Sequence, residues 1–212
     1  MQNECRLYII TPPKIDIEAF SANLKSALEA GDVGCVQLRL KSTDDAAICR
    51  AAETLMPICH DNGVAFLIND RPDLAVKLGA DGTHIGADDG DYQSARRIMG
   101  DDAIIGVSCY NSRHLALEAG EAGADYVAFG AFYPTVTKVP RSKAELEIIQ
   151  WGHDVTIIQS VAIGGITAQN CAPIVKAGAN FIAVISAVWD HPAGPAIAVK
   201  TINDAIAEAA TS

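Results

Sequence analysis

The sequence predicts an α/β fold, a single-domain (β/α)8 TIM barrel, on three observations. Eight short runs of apolar and β-branched residues recur along the chain, each of a length suited to a strand buried on both faces. Segments with helical periodicity lie between them, and several end in glycine. The length, 212 residues, accommodates eight βα units as one domain over residues 1–212. An open doubly wound sheet is the structural alternative that the same alternation allows.

In chain order the strands are read at LYIIT, CVQLRL, VAFLIN, GTHIG, AIIGVS, YVAFG, TIIQSVAIGG and FIAVIS. Between and after them, IEAFSANLKSALEAG, DDAAICRAAETLMPICHDNG, RPDLAVKLGA, YQSARRIMG, SRHLALEAGEAGA, TAQNCAPIVKAGA and GPAIAVKTINDAIAEAA carry the spacing of helices with one apolar face. Gly31, Gly63, Gly79 and Gly178 stand where a helix ends in a left-handed residue. The turns LGADG, AGADY and AGANF repeat one small-residue connection from helix to strand.

Half of the residues are hydrophobic, enough for a large core, and the formal net charge is −10. That balance repels a phosphate backbone, so nucleic acid is not an expected partner, and an anionic small molecule must be met by a few local cations. The six cysteines form no CxxC pair, which predicts buried free thiols in a reducing compartment and no zinc site. The apolar run LYII is far too short for a signal sequence or a membrane span. The expectation is a soluble cytoplasmic protein without a membrane partner; a homo-oligomer stays open.

A barrel of this kind places chemistry at the C-terminal ends of its strands. The second strand ends QLRLK, and period-two alternation sets Gln37, Arg39 and Lys41 on one face. Unpaired cations pointing into a barrel are costly, and an anion at the mouth removes the cost. The third and fourth strand ends carry Asn69, Asp70, Asp88 and Asp89. Helix capping explains one acid per loop; carboxylates gathered beside Arg39 and Lys41 also suit Mg²⁺ bridging protein and diphosphate. His84 is read as a packed strand residue, and Ser108 ends the fifth strand. Gly164 and Gly165 after the seventh strand, with Ser186 after the eighth, allow backbone N–H groups and a hydroxyl to approach a phosphate. Thr135, Thr137 and Lys138, in FGAFYPTVTK, lie between these two anion sites.

With these motifs, VQLRLK, LINDRPDLAVKLGADGTHIGADD, IIGVSCYN, GADYVAFGAFYPTVTK, VAIGGIT and GANFIAVISAV, the chain resembles the thiamine phosphate synthases over nearly its whole length. The resemblance implies small-molecule substrates: hydroxymethylpyrimidine diphosphate and thiazole phosphate, joined to thiamine phosphate with release of diphosphate through a carbocation-like step. It implies diphosphate ligands at Arg39, Lys41, Asn69 and Lys138, and Gln37 and Ser108 near the pyrimidine. It further implies Mg²⁺ at Asp70 and Asp89, and a thiazole phosphate site at Thr135, Thr137, Gly165, Ile185 and Ser186. Arg39, Lys41, Ser108 and Lys138 are the residues implied to act in catalysis. The chain departs from the family pattern at ITPP after the first strand, at Ala87, and at VPRSKAELE beyond Lys138. Two alternatives stay open: a thiazole tautomerase-like homologue, which lacks the full TxTK and metal-ligand set, and a non-catalytic barrel that binds phosphate or a thiamine precursor.

Overall fold

The eight apolar runs form eight strands, and the strands close on themselves. In the computed structural model, which describes residues 5–86, 92–135 and 142–211, these are β1 (Arg6–Ile10), β2 (Val33–Leu38), β3 (Ala65–Asn69), β4 (Gly82–Ile85), β5 (Ile104–Tyr110), β6 (Tyr126–Gly130), β7 (Gln159–Ile163) and β8 (Phe181–Val184). Each pairs in parallel with the next, and β8 returns to β1 through Arg6 to Ile9 against Phe181 to Val184. That last pairing excludes the open sheet. The helices described are α1 (Ile17–Leu28), α2 (Asp45–Asp61), α3 (Pro72–Leu78), α4 (Tyr92–Met99), α5 (Arg113–Glu121), α6 (Leu146–Val155), α7 (Ala172–Lys176), α8 (Ser186–Trp189) and α9 (Pro195–Thr211).

Strands covered on both faces divide their side chains between two cores. Leu7, Ile9, Val36, Leu38, Phe66, Ile68, Val127, Phe129 and Ile182 pack against the helices. Tyr8, Ile10, Cys35, Leu67, Tyr126, Ala128, Val161 and Ala183 fill the barrel. Burial pushes the Cys5, Cys59 and Cys109 thiols up to about 12, so these remain protonated and act as small hydrophobes. All six cysteines are free. No helix among the described residues is long and apolar enough to cross a membrane.

Local signals set several helix ends. Asp16, Asp44 and Ser112 accept hydrogen bonds from the backbone N–H groups of Ala19, Ala47 and Leu115, caps worth about 1 kcal/mol each. Gly63, Gly79 and Gly178 are left-handed, as expected. Gly31 is not: a Cβ there would overlap Asn203 Oδ1, so this glycine serves the close approach of α9. The structure also adds two helices that periodicity did not reveal. In α6, LEIIQWGHDV mixes β-branched residues with Gly152, and Glu145 gives no side-chain cap. A single turn such as α8 is too short to show a period; it is held by the Trp189 indole N–H, which donates to the Ile10 carbonyl at 2.7 Å.

Candidate active site

The inward alternation of β2 continues past the end of the strand. Cys35 and Gln37 face the barrel, Leu38 faces the helices, and Arg39 and Lys41 reach the mouth of a cavity of about 200 Å³ at the C-terminal ends of the strands. The loop after β1 braces this extension. Thr11, fully buried, accepts a hydrogen bond from Arg39 N–H at 2.9 Å, and Pro13 carbonyl accepts one from Lys41 N–H at 3.0 Å. Thr11 belongs to ITPP, and no spacing in the sequence marks it as a support.

Asp70 separates the two explanations offered for its loop. Helix α3 begins after Arg71 with no side-chain cap, so capping does not account for Asp70. Its Oδ1 instead accepts from Gly86 N–H at 3.2 Å, and its Oδ2 accepts from Lys41 Nζ at 2.8 Å and Asn69 Nδ2 at 2.5 Å. Burial works to raise its pKa, but the bonds from Lys41 and Gly86 outweigh burial and hold the carboxyl below its ordinary value. Asp70 also has φ +61°; Ser42, in the loop after β2, has φ +56°, and Tyr110, the last residue of β5, has φ +55°. Such non-glycine conformations cost about 1–3 kcal/mol each and cluster at working sites; two of the three, Asp70 and Tyr110, line the cavity at strand ends.

His84 is buried, as its place in a strand suggested, yet it also lines the cavity. Its Nδ1 lies 2.9 Å from the Tyr126 hydroxyl and its Nε2 lies 2.9 Å from Ser108 Oγ. Tyr126 is 2.8 Å from the Tyr8 hydroxyl, which accepts from Gln37 Nε2 at 2.9 Å. Tyr8 and Tyr126 are functional candidates that sequence reasoning missed. Each sits in an apolar run, and its polar end becomes visible only when the barrel closes.

The β7 and β8 ends form the other wall. Gly164 and Gly165 have φ +105° and +66°. A Cβ at Gly165 would meet the Pro134 carbonyl oxygen and come within 2.9 Å of Tyr133, so the glycine lets the segment after β6 lie against the β7 end. Asn170 holds the turn, donating to Gly165 carbonyl at 2.9 Å and accepting from Thr167 N–H at 2.7 Å. Ile185 and Ser186 follow β8. Because strain and overlap both arise, Gly165→Val should destabilise the fold by about 2–3 kcal/mol. Urea unfolding measures this, and an unchanged midpoint would mean that the 133–135 segment does not pack on the turn.

Of the residues singled out in the sequence, Gln37, Arg39, Lys41, Asn69, Asp70, Ser108, Thr135, Gly165, Ile185 and Ser186 line this one cavity. Asp89, Thr137 and Lys138 lie outside the described residues, as does Asp88. Cations and a carboxylate stand on the β2–β3 side, glycine turns and hydroxyls on the β7–β8 side, and Ile10, Val161, Ile163 and Ala183 between them. Among the described residues no three His, Cys, Asp or Glu side chains gather as a metal site.

Fold and mouth together define a (β/α)8-barrel enzyme, with its polar groups where that architecture carries chemistry. Over residues 7–188 the sequence matches the family described as thiamine monophosphate synthase. It is 56% identical over 200 residues to a thiamine-phosphate synthase of Rhodospirillum centenum, covering 94% of this chain and 97% of that one. With a thiamine-phosphate synthase of Hyphomonas neptunium it shares 51% identity over 203 residues, covering 93% and 92%. Among solved structures, a thiamine phosphate pyrophosphorylase from Pyrococcus furiosus aligns with a TM-score of 0.84 at 32% identity, covering 98% of each chain. The chain belongs to the thiamine monophosphate synthase family.

Proposed function

We propose that the protein is a transferase that joins hydroxymethylpyrimidine diphosphate to thiazole phosphate, giving thiamine phosphate and diphosphate. The observation that carries this reading is that the two residue sets assigned to the anionic groups line one cavity, one on its β2–β3 side and the other on its β7–β8 side. The C–O bond of the pyrimidine methylene breaks, and its electron pair leaves with the diphosphate. The pyrimidine ring stabilises the resulting cation, and the thiazole nitrogen lone pair forms the new C–N bond. No proton has to move, so the protein's task is alignment and stabilisation of the leaving charge.

Arg39, Lys41 and Asn69, with Lys138, bind the diphosphate; Gln37 and Ser108 orient the pyrimidine. Thr135, Thr137, Gly165, Ile185 and Ser186 receive the thiazole phosphate. Asp70 is the only carboxylate among the described residues lining the cavity, and it is held ionised. A lone carboxylate of this kind fits Mg²⁺ shared with substrate oxygens, not an all-protein cage. Asp70 and Asp89 would hold the ion, which when bound supplies Lewis-acid stabilisation of the departing diphosphate. The free buried thiols fit a reducing, cytoplasmic setting.

Purified protein given both substrates and Mg²⁺ should form thiamine phosphate and diphosphate in equal amounts, with neither formed from one substrate alone. EDTA should stop the reaction. Absence of product with both substrates would overturn the transferase reading in favour of a non-catalytic barrel, and turnover undiminished in EDTA would remove the metal.

A further inference from the structure

Five residues on five strands form one chain of hydrogen bonds across the barrel: Gln37, Tyr8, Tyr126, His84 and Ser108. Gln37, Tyr8 and Tyr126 are all at most 5% exposed. Space is cleared for the chain, because a Cβ at Gly106 would overlap the Tyr126 ring. Burial keeps both phenol hydroxyls protonated.

Counting protons gives the chain a direction. The Gln37 amide nitrogen only donates, so the Tyr8 oxygen accepts there. Tyr8 then donates to Tyr126, and Tyr126 donates to His84 Nδ1. A neutral imidazole that accepts at Nδ1 carries its proton on Nε2, facing Ser108 Oγ. Ser108, accepting from His84, is left with its own hydroxyl proton for the cavity. The opposite order would aim the Tyr8 proton at the Cys35 sulfur, a weak acceptor, in place of a phenol oxygen.

We propose that this chain fixes His84 as the Nε2–H tautomer and thereby makes Ser108 a hydrogen-bond donor to the pyrimidine substrate, with Tyr8, Tyr126 and His84 as positioning residues. The inference rests on the function proposed above. A donor at Ser108 suits the acceptor atoms of that substrate, its ring nitrogens and diphosphate oxygens.

Long-range proton–nitrogen correlation spectra of the substrate-free protein, at alkaline pH where histidine is neutral, report the tautomer directly. The chain has five histidines, and loss of one set of signals in His84→Gln identifies the residue. His84 should carry its proton on Nε2; a proton on Nδ1 in the unmodified protein overturns the proposal without any other variant. Gln37→Glu replaces the first donor by an acceptor of the same shape and should turn the chain round, moving the His84 proton to Nδ1; an unchanged tautomer overturns the proposal. Tyr126→Phe should yield mixed tautomers and lower kcat about tenfold, with the KM for thiazole phosphate unchanged because that ligand binds the other wall. A Tyr126→Phe protein with the original tautomer and kcat would again overturn it. The spectra need no substrate, so the expected tautomer in a protein without turnover would count against the proposed function alone.

Discussion

Asp70→Asn is expected to lower kcat/KM on the order of a hundredfold and to raise the Mg²⁺ concentration needed for activity. The substitution is close to isosteric. Asparagine tolerates the left-handed backbone found at position 70, and its side-chain oxygen still accepts from Gly86 N–H. With that oxygen kept on Gly86, the new amide nitrogen replaces Oδ2 and faces two donors, Lys41 Nζ and Asn69 Nδ2, so the ion pair to Lys41, the hydrogen bond from Asn69 and the ligand strength toward a divalent cation all disappear with the negative charge. Lys41 is 43% exposed, so water takes over its solvation and the pair contributes at most about 1 kcal/mol. The lost Asn69 bond adds about 1 kcal/mol, so the melting temperature should fall by no more than about 8 °C. The pH dependence has a definite sign. The folded pKa of Asp70 is depressed, so the stability it contributes is present above the ordinary carboxylate value and is lost as pH falls through the folded value. The gap in melting temperature between the two proteins should close on acidification. Kinetics at limiting Mg²⁺ decide the matter: a variant with wild-type kcat/KM would remove Asp70 from metal binding.

Phe129→Ala should do the opposite, costing about 3–5 kcal/mol of stability while leaving the site intact in the folded molecule. Phe129 is wholly buried on the outer face of β6, near Gly152 of α6. Its neighbours Ala128 and Gly130 face the cavity. Truncation empties space between sheet and helix, where the surrounding elements are pinned by the closed barrel and cannot collapse far. For a chain of this length the melting temperature should drop by roughly 8–15 °C. In urea the midpoint should fall without a change in slope, and substrate KM values measured well below the transition should stay close to wild type. A loss below about 1 kcal/mol would mean that α6 closes onto β6 after all.

These two residues illustrate what was legible. Phe129 lies in an uninterrupted apolar run, and burial follows from that run alone. Asp70 is legible as an acid at a strand end and reads as a metal ligand, with helix capping as the plainer alternative; the uncapped start of α3 and the turn of Asp70 toward Lys41 and Gly86 remove the capping alternative. Gly31 was expected to end a helix and instead makes room for α9, a neighbour about 170 residues away in sequence. Helix α6 went unread because its β-branched residues resemble a strand as much as a helix, and packing against the sheet decides between them.

By itself the sequence determined the order of the eight strands and of seven helices, the inward face of β2 through Gln37, Arg39 and Lys41, and the glycine turn after β7, because alternation and backbone permissiveness are local properties. Tertiary structure alone decided closure of the barrel, the braces from Thr11 and Pro13, and the chain from Gln37 to Ser108. The Tyr8 and Tyr126 hydroxyls meet at 2.8 Å across 118 residues of sequence. No periodicity carries that information, since a hydrogen bond depends on where two strand ends arrive after the sheet has curled and closed, and on which buried polar atoms are then left to find each other.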